Sequence, residues 1–143
     1  MTRSRWVASL VVGLGLLTGL GCGTKGSPPS SQPVQPARGK VTLGGQPMSG
    51  GALNLSLVSN NDKYGTVEAV AEIQPDGTFE AKQYGDKPGL VPGKWKVVVR
   101  PNYVKDGKTI KLNVPAKYTK EETSDLSFEI PEGGKTDIVI NLQ

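Results

Sequence analysis

From Arg38 to its last residue the chain alternates apolar and polar side chains with a period of two, and this pattern limits the fold more than any other feature. Successive side chains of a strand point to opposite faces, so alternation marks a half-buried sheet. "KVTL" sets Val41 and Leu43 against Lys40 and Thr42, and "GALNLSLV" sets Leu53, Leu55 and Leu57 against Asn54 and Ser56. "TVEAVAEI" alternates Val67, Ala69, Ala71 and Ile73 with Glu68, Val70 and Glu72, and Phe79 and Ala81 continue the inward face. "KWKVVVR", residues 94–100, is the strongest strand, with Trp95, Val97 and Val99 inward. "TIKLNV" aligns Ile110, Leu112 and Val114; "LSFEI" and "DIVINL" add Leu126, Phe128, Ile130, Ile138, Ile140 and Leu142 to the core.

Glycine and proline separate these runs. Gly44-Gly45 followed by Pro47 marks a first hairpin, and Pro131, Gly133 and Gly134 mark a last turn. Pro75-Asp76-Gly77 is a turn with a mechanism: proline fixes φ, aspartate bonds its own backbone, and glycine takes the positive φ. Only "TKEETSD", residues 119–125, has room for a helical turn. Seven or eight short strands without a helical window predict an all-β fold, an antiparallel β-sandwich of about seven strands.

Composition narrows the chemistry. The chain of 143 residues has no histidine and one cysteine, which removes the commonest general base, any internal disulfide and any cysteine-rich zinc site. Lys plus Arg number 17 against 13 Asp plus Glu, and cleavage after the N-terminal segment would remove Arg3 and Arg5. That balance, with no basic stripe interleaved with aromatics, argues against nucleic acid as a partner.

The N-terminal segment is of another kind. Arg3 and Arg5 precede "WVASLVVGLGLLTGL", residues 6–20, which carries no charge. As a helix it would span roughly 22 Å, short of the ~30 Å hydrocarbon core. A positive start, a short apolar run and small residues after it make a secretory signal peptide, residues 1–21. The following stretch, Leu20-Gly21-Cys22-Gly23, resembles the lipobox of bacterial lipoproteins, with Gly19 standing where that family usually has leucine. The resemblance implies cleavage between Gly21 and Cys22 and a diacylglyceryl group on the Cys22 sulfur. Two acyl chains anchor a protein stably where one does not. Residues 22–37, from the lipidated Cys22 through "GTKGSPPSSQPVQPA", hold four prolines and no aromatic residue, and read as a tether leading to the domain at 38–143.

Within that domain "GKVTLGGQPMSGG", "IQPDGTFEA", "GLVPGKWKVVV" and "VPAKYTKEETSDLSFEI" resemble, in order, the signatures of carboxypeptidase regulatory-like domains found in small planctomycete lipoproteins. Gly39, Gly45 and Pro47 match the first hairpin, and Asp76, Gly77 and Phe79 the Asp-Gly-x-Phe turn. Pro92, Gly93 and Trp95 match a Pro-Gly-x-aromatic segment, with tryptophan where the family usually has tyrosine; Pro115, Lys117 and Tyr118 match Pro-x-Lys-Tyr. The resemblance implies a transthyretin- or prealbumin-like Greek-key sandwich used as an accessory module.

No residue set stands out as catalytic, cofactor-binding or metal-binding. Asn60, Asn61, Asp62 and Asp76 offer oxygens for calcium at spacings that match no loop motif, and Glu68, Glu72, Asp86 and Glu121 form no evident acid/base pair. Lys40 and Asn141 lie in the first and last strands, where related collagen-adhesin modules form an isopeptide bond, but parity turns both outward. Tyr84 and Tyr103, assigned to loops, are the candidate contacts for a glycan or protein ligand. The reading is a non-enzymatic, extracytoplasmic domain without cofactors, held to a bacterial membrane through Cys22, with an envelope protein or glycan as its partner.

Overall fold

The computed structural model describes residues 33–59, 64–83 and 87–143, and the signal segment, Gly21, Cys22 and Tyr84 lie outside the described residues. The described part is all-β. Its strands are β1 Ala37–Leu43, β2 Gln46–Pro47, β3 Ala52–Leu57, β4 Glu68–Ile73, β5 Thr78–Gln83, β6 Lys87–Pro88, β7 Gly93–Arg100, β8 Asn102–Lys105, β9 Lys108–Lys111, β10 Ser127–Ile130 and β11 Lys135–Leu142. Strand order runs β10-β7-β3-β4-β5-β1-β11 in one sheet that curls into a half-barrel, and β8 and β9 form a separate hairpin.

The alternation read from sequence holds in β1, β3, β4, β5, β7 and β11, whereas "TIKLNV" is a strand only to Lys111 and "LSFEI" only from Ser127, so Leu112, Val114 and Leu126 reach the core from connecting segments. Val41, Leu53, Leu55, Ala71, Phe79, Trp95, Val97, Ile138 and Leu142 are buried inside the curl, with Leu112, Val114, Leu126 and Phe128 packed partly buried against them. Antiparallel pairing was expected throughout, yet β1 and β11 pair in parallel, from Gly39 opposite Ile138 to Leu43 opposite Leu142. First and last strands start from the same pole of the domain, so lying side by side they must run the same way. Gly39 makes this approach possible: a Cβ there would fall 2.1 Å from the Ile138 carbonyl oxygen.

Two poles follow from the strand directions. At the near pole are the N-terminal end of β1, the C-terminal end of β5 and the β10–β11 turn; at the far pole are Gly44-Gly45, Gly51, the β8–β9 hairpin and Gln143. The sequence reading carries the tether to residue 37, but pairing starts earlier. Gln35 exchanges backbone hydrogen bonds with Leu90, its N–H donating at 2.7 Å and its carbonyl accepting at 2.9 Å, and Ala37 is buried.

Buried backbone at the near pole is satisfied by side chains. Leu90, Val91 and Pro92 are all buried although they form the connection into β7, a placement tolerated only when its polar groups find partners. The Val91 N–H donates to Gln83 Oε1 at 3.0 Å, and the Val91 carbonyl accepts from Trp95 Nε1 at 3.1 Å. Tryptophan at 95 therefore does two things, filling the core and supplying a donor that an aliphatic residue lacks. On the open side of the half-barrel the 3₁₀ turn Ala116–Thr119 inserts buried Tyr118, whose hydroxyl lies 3.5 Å from both the N and the O of Gln143 just beyond β11.

Candidate functional site

A trough of about 990 Å³ lies over the outer face of β4, β5, β1 and β11. Its floor is built from the outward positions of four strands, so period two fills it with Arg38, Lys40, Glu68, Glu72, Glu80 and Lys82, together with Asp137. Val70 and Val139, 49% and 66% exposed, interrupt the charges. Arg38 Nε donates to Glu80 Oε1 at 2.7 Å across the β1–β5 pairing. Both partners are well exposed, so the pair adds little stability and stays available to a ligand. A surface of mixed charge spread over four strands suits contact with a polymer or another protein.

Of the remaining candidates, Glu68 and Glu72 both line the trough, Glu68 also lines a groove of about 450 Å³ with Glu121 and Arg100, and Asp86 is outside the described residues. Asp76 is occupied locally: its Oδ1 accepts from the Thr78 N–H at 3.0 Å and from the Thr78 hydroxyl at 2.6 Å. These bonds, the hydroxyl first, hold its carboxyl below the usual aspartate range. Asn60, Asn61 and Asp62 lie outside the described residues, and among the described residues no three of His, Cys, Asp and Glu converge on a metal position.

Lys40 and Asn141 are both exposed, with Lys40 opposite Val139 and Asn141 opposite Thr42. The Thr42 hydroxyl donates to Asn141 Oδ1 at 2.7 Å, so the amide is oriented by threonine and has no lysine against it. Every fully buried side-chain nitrogen and oxygen among the described residues has a hydrogen-bond partner. No helix among them is long and apolar enough to cross a membrane.

Tyr103, expected in a loop, is in β8. Asp106 and Gly107 both take positive φ, 51° and 73°, the signature of a type I′ turn, and this fixes Tyr103 opposite Ile110. The ring lies over Gly50, where a Cβ would come within 2.8 Å of ring carbons. The Asp-Gly pair was the sequence signal for this hairpin, and the short, lysine-rich flanks hid it. Gln83, the residue before Tyr84, ends β5 at the near pole, whereas Tyr103 sits at the far pole.

No family model, no curated protein and no solved structure matches the chain.

Proposed function

We propose that the chain is a bacterial envelope lipoprotein, cleaved before Cys22 and anchored there by lipid, whose β-sandwich is a non-catalytic binding or structural module. The observation that carries this reading is where the folded domain begins. Among the described residues pairing starts at Gln35, at the pole opposite the β8–β9 hairpin and Gln143. About twelve residues separate Cys22 from that point, a reach of roughly 37 Å in extended proline-rich conformation. A domain held this way turns its near pole to the membrane and its far pole outward. The mixed-charge trough on its side is left open to other envelope components.

The transthyretin-like form of the sandwich belongs to the same proposal. In support, β1 lies between β5 and β11 while β3 lies between β4 and β7, an order compatible with the crossover of a Greek key. The resembling motifs also find physical jobs: Asp76 caps a hairpin turn, Trp95 satisfies Val91, and Tyr118 closes the open side.

Intact-mass measurement of the membrane fraction tests the anchor. A chain starting at Cys22 and carrying acyl mass is expected, and Cys22→Ser is expected to release the protein from membranes. An unmodified soluble chain with its thiol free defeats the proposal.

A further inference from the structure

The sheet has two edges, and they are not equally guarded. An unpaired strand edge is a template for another chain, and natural sheets blunt it with short strands, proline or bulges. β10 has 4 residues and ends at Pro131, and the two-residue strands β2 and β6 each contain a proline, Pro47 and Pro88. β11 is 8 residues long, has no proline, and among the described residues pairs only with β1.

Backbone direction along β11 can be assigned. The Leu142 carbonyl accepts from the Gly44 N–H, and the Ile138 carbonyl crowds Gly39, so the even-numbered residues point into β1. Val139 and Asn141 therefore turn their N–H and C=O groups to the free edge, while Asp137 sits in the register shift between Lys135 and Ile138 with its side chain exposed. Gln143, of the same parity, is met on that side by the Tyr118 hydroxyl. The free stretch runs from the register shift, which holds Asp137, to Gln143 under Tyr118, and Val139 stands midway between Asp137 and Asn141.

We propose that β11 of one chain pairs antiparallel with β11 of a second copy about a two-fold axis at Val139. In that register Val139 meets its own counterpart and Asp137 meets Asn141, twice by symmetry. The chemistry is self-complementary. Thr42 already engages Asn141 Oδ1, which leaves the amide N–H groups as donors for the Asp137 carboxylate of the other copy. No like charges are opposed, and the two exposed valines cover each other. The chain's own tether is a poor occupant, because Pro28, Pro29, Pro33 and Pro36 donate no backbone hydrogen bonds. The contact is small and belongs to the weak, transient class, so a covalent trap is the right readout.

The test is cysteine crosslinking of the full chain in its membranes under mild oxidation, with the natural chain, which has Cys22 alone, as the baseline. Facing residues in such a pair have Cα atoms about 5.5 Å apart, within disulfide range. Val139→Cys is expected to give a covalent dimer of this chain, and Val104→Cys, at an equally exposed valine of the β8–β9 hairpin, no dimer above baseline. Asp137→Cys alone is expected not to crosslink, since its counterpart is roughly 14 Å away along the strands, but to crosslink when co-expressed with Asn141→Cys. Equal crosslinking at 139 and 104, crosslinking of Val139→Cys only to a different protein, or no dimer at 139 overturns the proposal. Because Val139 is exposed, the substitution leaves the core intact.

Discussion

The same dipeptide, Asp-Gly, closes two hairpins in this domain and does different work in each. At Asp76-Gly77 the turn is locked into the sheet: Asp76 binds Thr78, the Gly77 carbonyl accepts from the Val41 N–H, and a Cβ at Gly77 would sit 2.8 Å from the Val41 carbonyl oxygen. At Asp106-Gly107 the turn stands free, with no atom within 4 Å of a Cβ placed on Gly107. Its hairpin is fastened by Tyr103 over Gly50 and by the Leu112 N–H donating to the Pro101 carbonyl at 3.1 Å. The first turn is part of the framework, and the second is an attachment whose shape is local. A two-stranded hairpin is marginal alone, so the second depends on that one aromatic fastening.

If the framework reading is right, the largest loss comes where β1 meets its neighbours. Gly39→Ala must separate β1 from β11, and a loss of more than about 3 kcal/mol is expected, the scale of backbone displacement in a buried sheet. Denaturant unfolding measures it, and a loss below about 1 kcal/mol would contradict the tight β1–β11 approach.

The two turn glycines give the next contrast. Gly77→Ala combines a positive φ of 81° with the Val41 contact, and about 2–3 kcal/mol is expected. Gly107→Ala carries only the conformational cost of its φ of 73°, about 1–2 kcal/mol, most of it confined to the hairpin. Equal global effects at both positions would mean that the β8–β9 hairpin is as integral as the β4–β5 one.

What the sequence revealed divides along the same line. The framework was legible because its strands bury one whole face, so Leu53, Leu55 and Leu57, or Trp95, Val97 and Val99, announce themselves by period. Of the β8–β9 hairpin only part of β9 was legible, in "TIKLNV"; β8 was not, because only Tyr103 and Ile110 face inward and both stay half-buried. The parallel β1–β11 pair was equally hidden: periodicity assigns a face to each strand but no neighbour. Gly39 carried the trace of it, and a glycine in an alternating run reads as easily as a turn residue. As for the candidate site, its charges were visible one by one, yet only strand order brings Arg38 to Glu80 and sets Asp137 at the same trough.

A smaller effect sharpens the hairpin half of the comparison. Tyr103→Ala removes the ring from Gly50, and faster amide exchange is expected across residues 102–111 with a global loss of about 1 kcal/mol or less. Exchange that speeds up equally in β3, β4 and β7 would show that the ring supports the framework as well.

The smallest effect belongs to the Asp76 turn and is read by pH. The Thr78 hydroxyl and N–H favour the ionised carboxylate, so the folded-state pKa of Asp76 lies below its unfolded value. A depressed folded value means that the turn's contribution is fully present above the ordinary aspartate range and is lost as pH falls through the folded pKa. Carboxyl NMR titration of the natural chain is expected to place Asp76 below that range. Thr78→Val removes the hydroxyl donor but keeps the backbone one, so the pKa is expected to rise part of the way back. Asp76→Asn keeps an acceptor for both donors and has nothing to titrate, which isolates the charge from the geometry. If Thr78→Val leaves the titration of Asp76 unmoved, the hydroxyl bond is not what holds this turn, and the distinction between a locked and a free Asp-Gly rests on the Gly77 contact with Val41 alone.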